Sequence, residues 1–148
     1  MKVVEGSANV VRIERSFRAN AEEVFDAWTN EEVIRRWFRP RAGWREPDAE
    51  VDLRVGGAIR VVMRSPSNDP VGAGGEYIQV DRPRRLVFTW TFDDDPSNQQ
   101  LIEIDFIEEG ETTRVVFVNS DISDRERRDS QEDGWSTCID EMARVLGS

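Results

Sequence analysis

The stretch that decides the fold is residues 85–106, RLVFTWTFDDDPSNQQLIEIDF. Large apolar side chains occupy every second position near both of its ends: Leu86, Phe88, Trp90 and Phe92, then Ile102, Ile104 and Phe106. A period of two is typical of a β-strand that buries one face. Between the two runs, residues 93–98 are rich in Asp, Pro, Ser and Asn, which favour turns. The stretch therefore predicts two antiparallel strands joined by a turn.

The same alternation continues on both sides of this pair. It predicts further strands at 51–55, 59–63, 76–81 and 112–119. Gly56 and Gly57 supply the turn between the first two of these strands. Residues 65–75 have the composition of a loop, and residues 39–49 are predicted to be an irregular connection. Six strands joined by short connections favour an antiparallel sheet.

The segments that flank these strands add one more strand and three helices. A first strand at 11–18 precedes two short helices, which begin at capping signals around Asn20 and Thr29. Ser123 carries the capping signal of a long helix predicted over residues 124–146. This order of elements predicts an α+β fold in which the antiparallel sheet packs against the C-terminal helix.

The apolar face of the C-terminal helix is uneven. From Trp135 onward it is apolar, whereas the preceding positions on the same face are Gln131 and Arg128. This change predicts that the second half of the helix packs against the sheet. The first half would then border a cavity or a wet opening.

Composition limits the class of protein. The chain has 148 residues and a net charge of −10, which predict a single domain over residues 1–148 and disfavour binding to nucleic acid or anionic membranes. It has no histidine and one cysteine, so Ser-His-Asp and Cys-His catalysis and Cys/His zinc sites are excluded. We expect neither a signal peptide nor a membrane helix, because no apolar segment of the required length is present. The expected location is cytoplasmic.

Several motifs together resemble a known family. They are Ile13–Phe17, Val24–Thr29, Trp37–Pro40, Arg54–Gly57, Gly75–Tyr77, Arg85–Thr89 and Gly134-Trp135. In order and spacing they are similar to the SRPBCC, or START-like, superfamily, and within it to the domain related to the activator of heat-shock-protein ATPase. The resemblance covers about residues 10–146. It implies the helix-grip fold, in which a curved antiparallel sheet wraps around the long C-terminal helix and two short helices follow the first strand.

The sequence departs from this family's pattern at one informative position. Gln131 stands where members often have a histidine three residues before the glycine of the last helix. A role that needs a titrating imidazole is therefore lost, while a hydrogen-bonding role at the mouth of a cavity remains open.

Eight residues are candidates for contact with a ligand: Arg15, Trp37, Trp44, Phe88, Trp90, Arg128, Gln131 and Trp135. Aromatic side chains suit the wall of a hydrophobic pocket, although the same spacing fits plain core, which we favour for Trp28 and Trp135. Arg15 and Arg128 are the predicted charge partners of a carboxylate or phenol. Cys138 lies in the apolar stripe of the helix and is interpreted as a core side chain.

Two further motifs are interpreted as structural. Asp93–Asn98 lacks the spacing of a calcium loop and is predicted to be a solvated turn. Gly72–Gly75 lacks the third glycine and the following helix of a phosphate-binding loop. We therefore predict no metal, no cofactor and no catalytic residue.

The favoured function is non-catalytic binding of a hydrophobic or amphipathic small molecule in a cavity between the sheet and the C-terminal helix. Two alternatives stay open. One is a protein-interaction module that resembles chaperone ATPase activators, with a chaperone or a second copy of the chain as partner and a role in the stress response. The other is a histidine-independent enzyme similar to a polyketide cyclase or hydrolase, which would have to use Asp, Glu, Arg, Tyr77 or water.

Overall fold

A computed structural model describes residues 9–147 of the chain. Within this range the chain forms seven strands and three helices: β1 (Val11–Phe17), α1 (Ala21–Thr29), α2 (Glu31–Trp37), β2 (Arg45–Val51), β3 (Ala58–Arg64), β4 (Pro70–Asp81), β5 (Arg85–Phe92), β6 (Gln100–Glu109), β7 (Thr112–Ser120) and α3 (Arg125–Val145). The strands form one antiparallel sheet in the order β1-β7-β6-β5-β4-β3-β2. The predicted α+β class and helix-grip arrangement are confirmed.

Polar side chains mark where each helix begins. The Asn20 side chain accepts a hydrogen bond from a backbone N–H of the first turn of α1 at 2.8 Å, within the predicted capping box. The second helix begins after Asn30 rather than Thr29, because Asn30 caps it and the Thr29 hydroxyl donates back into α1. α3 is capped by Asp124 rather than Ser123, through a bond of 2.8 Å to the first turn.

The strand predicted at 51–55 is wrong. β2 ends at Val51, and Leu53 and Val55 lie in the turn before β3 with 38% and 63% of their surfaces exposed. The strand occupies Arg45–Val51 instead, within the segment predicted to be irregular. Its pairing with β3 shifts between Arg45 and Asp48, which interrupts the alternation that sequence analysis relies on.

The glycine-rich residues 70–75 belong to β4 and not to the predicted loop. A Cβ atom on Gly75 would overlap the Thr89 carbonyl of β5, and a Cβ on Gly72 would overlap the Asp93 carboxylate. Glycine at these positions allows the neighbouring chain to approach closely. The composition that predicts a loop therefore reflects tight contact between strands.

The second half of α3 packs against the concave face of the sheet through aromatic rings. The centroid of the Trp135 ring lies 4.7 Å from that of Phe117 and 5.3 Å from that of Phe38. Trp28 lies 4.9 Å from Trp37 and 6.2 Å from Trp135. The space left among the rings is a void of about 10 Å³. Trp28 and Trp135 are core side chains, with 3% and 5% of their surfaces exposed.

Candidate functional site

A cavity of about 460 Å³ opens at the end of the sheet where α3 begins. Its walls come from the first half of α3, from strands β3, β4 and β5, and from the connection between α2 and β2. Of the α3 positions that line it, Ser130 carries a small side chain and Gly134 carries none. The cavity lies where the sheet extends beyond the bulky side chains of α3 that pack against it.

The floor of the cavity is apolar. Met63, Val71 and Trp90 come from three neighbouring strands. The Phe92 ring stands edge-on to Trp90, with centroids 6.1 Å apart. Trp135 of α3 closes the floor, 5.8 Å from Trp90. The parts of these side chains that face the cavity give an entering molecule an apolar and polarisable surface.

On the side of the β5–β6 turn, the rim is formed by an ion pair. The Arg127 guanidinium lies 3.5 Å from the carboxylates of Asp94 and Asp95. It also lies 5.6 Å from the centroid of the Phe92 ring, within reach of a cation–π interaction. Arg127 is therefore held at the rim from two directions.

On the opposite side, the rim carries a cation without an acidic partner. Arg41, in the connection from α2 to β2, makes a long contact of 3.4 Å with the Ser130 hydroxyl. No carboxylate among residues 9–147 lies within ion-pair distance of Arg41. The half-buried ring of Trp44 lines the same side. An anionic group at this side would meet an unneutralised guanidinium beside an aromatic surface.

Four of the eight predicted ligand residues line the cavity, namely Trp44, Trp90, Gln131 and Trp135. Trp37 and Phe88 lie deeper and surround the small void of the core. The Trp37 indole N–H donates to the Ala27 carbonyl at 2.8 Å, which fixes the ring inside the helical layer. The structure places these two residues in the core and not in the cavity lining.

Arg15 and Arg128, the predicted charge partners, also lie outside the lining. Arg15 pairs with Asp140 in the second half of α3. The Arg128 Nε–H donates to the Val10 carbonyl at 2.9 Å, and its Nη1 lies 2.8 Å from carboxylates of its own helix. One step along a helix turns a side chain by about 100°. Arg127, one position earlier, is therefore the residue of α3 that brings a cation to the rim.

A network of buried amides lies behind the floor. The Gln131 Nε2 group donates to Asn119 at 2.7 Å and to Gln100 at 2.8 Å, and the Gln100 Nε2 group donates back to Gln131 at 3.1 Å. The Trp135 indole N–H donates to the Asn119 carbonyl oxygen at 3.2 Å. Both N–H bonds of the Gln131 side chain are thus used within the protein. The side chain orients Trp135 and the helix and has no free donor for a molecule in the cavity.

Sequence analysis missed Gln100 and Asn119, although a signal was present. Gln100 lies two residues before Ile102 and Asn119 lies two residues after Phe117, so both fall on the buried face of their strands. A polar side chain on a buried face must find a hydrogen-bond partner there. Of the three amides in this network, sequence analysis singled out Gln131 alone.

Three aromatic polar groups are buried without a hydrogen-bond partner in the described part of the chain: Trp28 Nε1, Tyr77 Oη and Trp90 Nε1. Burial raises the pKa of the Tyr77 hydroxyl and of the Cys138 thiol. Cys138 borders the cavity but has only 1% of its surface exposed. Its thiol is thus a poor nucleophile at neutral pH.

Residues 9–147 contain neither a metal-binding cluster of side chains nor a helix suited to cross a membrane. No group of three or more Cys, Asp and Glu side chains is arranged to hold a metal ion there. Within the same residues, no helix combines the length and apolar character needed to cross a membrane. In the turn of residues 93–98, the Asp93 carboxylate is held by Arg60 at 2.6 Å.

Comparison with known proteins identifies the family. A family model described as "Activator of Hsp90 ATPase homolog 1-like protein" matches residues 18–147, and the chain belongs to this family. A comparison with curated protein sequences finds no match.

Solved structures share the fold. Protein CV1439 from Chromobacterium violaceum is similar with a TM-score of 0.85 and 22% identity, over 95% of this chain and 99% of that one. An HSP90 activator from Plasmodium falciparum is similar with a TM-score of 0.74 and 21% identity, over 94% and 96%. CalU16 from Micromonospora echinospora has a TM-score of 0.69 and 25% identity, over 93% and 76%. The resemblance inferred from the sequence motifs is thereby confirmed.

Proposed function

We propose that this member of the family binds a hydrophobic or amphipathic small molecule in the cavity at the start of α3, without catalysing its conversion. The observation that carries the proposal is the cavity itself: about 460 Å³ with an aromatic floor and a charged rim. Ligand pockets in proteins commonly have volumes of about 300–1,000 Å³ and apolar walls with a few polar groups. A molecule of two or three fused or linked rings fits this space.

The rim defines the polar end of such a molecule. Arg41 has no acidic partner among residues 9–147, whereas Arg127 already neutralises Asp94 and Asp95. A carboxylate or phenolate at the rim would gain a charge-assisted hydrogen bond from Arg41. Arg41 therefore takes the role that sequence analysis gave to Arg15 and Arg128, which are bound elsewhere.

The chemistry of the lining supports binding more than catalysis. The raised pKa of the Cys138 thiol disfavours a thiolate nucleophile. The donors of Gln131 are committed to Gln100 and Asn119. The carboxylates of Asp94 and Asp95 are paired with Arg127. None of these groups is arranged as an acid–base pair around the floor.

Thermal melts with four compounds test the proposal: fluorene carboxylic acid, benzylbenzoic acid, and the parent hydrocarbons fluorene and diphenylmethane. At equal concentration, the tighter-binding acid should raise the melting temperature more, since ligand stabilisation grows with the logarithm of affinity. Arg41→Gln should weaken binding of the acids by about two- to tenfold and leave the hydrocarbons unaffected. Arg128→Gln is the matched control, since Arg128 lies outside the lining.

A blocking variant links the melts to this cavity. Ser130 is an exposed position of α3 that lines the opening, so Ser130→Trp should fill the opening and abolish binding. Arg125→Trp, at an exposed position outside the lining, should preserve it. If no compound shifts the melt and native mass spectrometry of protein from its own host shows no bound small molecule, the proposal is wrong.

Binding to a chaperone is the second candidate. It is favoured by the family description, by the fold shared with an HSP90 activator, and by apolar side chains on the outer surface. Val55 and Ile78 are 63% and 50% exposed and are brought together by a backbone bond between Gly56 and Tyr77. The ATPase rate of an Hsp90-class chaperone should then rise with the protein and fall back with Val55→Asp. An unchanged rate would remove this candidate.

A further inference from the structure

We propose that the ligand carries a carbonyl oxygen within its apolar body and that the Trp90 indole N–H donates a hydrogen bond to it. The inference rests on the proposed function and specifies its ligand. Trp90 lines the cavity floor with only 1% of its surface exposed. Its Nε1 atom has no acceptor among residues 9–147.

An unpartnered indole N–H is unusual at a buried position. Leaving a buried donor unpaired forfeits its hydrogen bond to water without replacement, so buried polar groups nearly always have partners. Two other tryptophans follow this rule, since Trp37 donates to the Ala27 carbonyl and Trp135 donates to Asn119. Trp90 is an exception to this rule, and it lies in the aromatic floor of the cavity.

The neighbouring polar groups cannot take the place of Trp90. Both donors of Gln131 are used by Gln100 and Asn119, and the Trp135 N–H is used by Asn119. The Cys138 thiol is a weak donor. At the floor, the Trp90 N–H is thus the donor left without a partner; its atom is sealed from solvent, so a ligand oxygen reaches it only with a small shift of the ring, while Arg41 supplies the cation at the rim.

The two groups together define a ligand class. An aromatic acid with a ketone between or within its rings would place its carboxylate at Arg41 and its ketone oxygen at Trp90. Its hydrocarbon counterpart, with a methylene in place of the ketone, would fill the same space and leave the indole N–H unpaired. The protein should therefore prefer the ketone acid.

Two matched pairs of probes test this preference. Fluorenone carboxylic acid and fluorene carboxylic acid form a rigid pair, and benzoylbenzoic acid and benzylbenzoic acid form a flexible pair. Within at least one pair, titration calorimetry should show the ketone acid binding about three- to tenfold tighter, the range of one net hydrogen bond. In ¹H–¹⁵N spectra of the wild-type protein, the ketone acid should move the Trp90 indole proton downfield more than the methylene acid does.

Trp28 offers a matched control. Its indole N–H is also buried and unpartnered, but Trp28 borders only the small void of the core and not the cavity. Trp90→Phe should remove the preference, so that the ketone acid and the methylene acid bind with equal affinity, because the indole donor is lost for both. Trp28→Phe should retain the preference. The wild-type spectra decide the question even if Trp90→Phe does not fold.

The outcomes separate this inference from the proposed function. If both members of each pair bind equally and the Trp90 signal responds equally, the inference is overturned while the binding function stands. If a water molecule in the core void holds the Trp90 N–H, the signal stays in place with every probe, and the inference is again overturned. If none of the four acids binds, the inference is overturned, and the hydrocarbons together with native mass spectrometry decide the proposed function.

Discussion

The two halves of α3 face the same sheet but enclose very different spaces. Around Trp135 the aromatic rings of the core leave a void of about 10 Å³. Around Ser130 and Gly134 the same helix borders a cavity of about 460 Å³. The first half of the helix lines the cavity mainly with polar side chains, whereas the second half packs with apolar ones. A helix-grip fold can therefore combine a rigid core and an open site without a separate domain.

Trp135 stands at the junction of the two regions, and its removal should produce the largest effect. Trp135→Ala should lower the free energy of unfolding by about 3–5 kcal/mol, the range for deleting a buried aromatic side chain. The ring contacts Phe117 and Phe38, and its N–H is bonded to Asn119. Denaturant melts measure the change. A loss within about 0.5 kcal/mol, typical of surface sites, would contradict the division into core and cavity.

Asn119 supports the same junction through hydrogen bonds, so its replacement should have the next largest effect. Asn119→Leu would leave the donors of Gln131 and Trp135 without their shared acceptor. A buried donor left unpaired costs about 1–3 kcal/mol, and the free energy of unfolding should fall by that amount. Ser120→Leu, at a half-buried neighbouring position of β7, is the control. Equal losses in the two variants would show that the network adds nothing specific.

Trp44 belongs to the cavity side and should behave in the opposite way to Trp135. Trp44→Ala should lower the free energy of unfolding by about 1 kcal/mol or less, because the ring lies at the rim and is only partly buried. Binding of benzylbenzoic acid should nevertheless weaken severalfold, since the ring covers the side of the cavity where Arg41 lies. Melts and calorimetry on the same variant separate the two effects. A large loss of stability with unchanged binding would place Trp44 in the core.

Much of the fold could be predicted because strands and helices depend on the spacing of apolar residues within a short stretch of sequence. The alternation in residues 85–106 predicted β5 and β6 to within a few residues, and the stripe from Trp135 onward predicted the packed half of α3. β2 was misplaced because its pairing is irregular between Arg45 and Asp48. Gly72–Gly75 was assigned to a loop because close strand contact and turns favour the same residue.

The site could be predicted only in part, because its geometry depends on contacts distant in sequence. Trp90 and Gln131 follow from their positions in a strand and a helix, and both line the cavity. The cation at the rim does not follow in this way. To choose Arg127 over Arg128, one must know the rotation of α3 about its axis to within one residue. Arg41 lies in a connection whose sequence shows no helical or strand periodicity.

The smallest effect is expected outside both regions, at the exposed Arg60–Asp93 pair on the outer face of the sheet. Two parallel hydrogen bonds of 3.0 and 2.6 Å join the side chains, and they lower the pKa of the Asp93 carboxyl. Asp93 is 54% exposed, so the pair should contribute only about 0.2–1 kcal/mol at neutral pH. Asp93→Asn should lower the free energy of unfolding by no more than this.

The pH dependence of this difference follows from the direction of the shift. An aspartate has a pKa of about 3.9 in an unfolded chain, and the folded protein holds Asp93 below its ordinary value. The stabilisation is therefore fully present above about pH 5 and is lost as the pH falls through the lowered folded pKa. Unfolding curves of the wild type and Asp93→Asn should differ slightly at pH 7 and converge in acid. A difference that persists at the lowest pH would contradict the ion pair as its cause. A difference that exceeds the loss at Asn119 would mean that the outer face contributes more to stability than the junction between core and cavity.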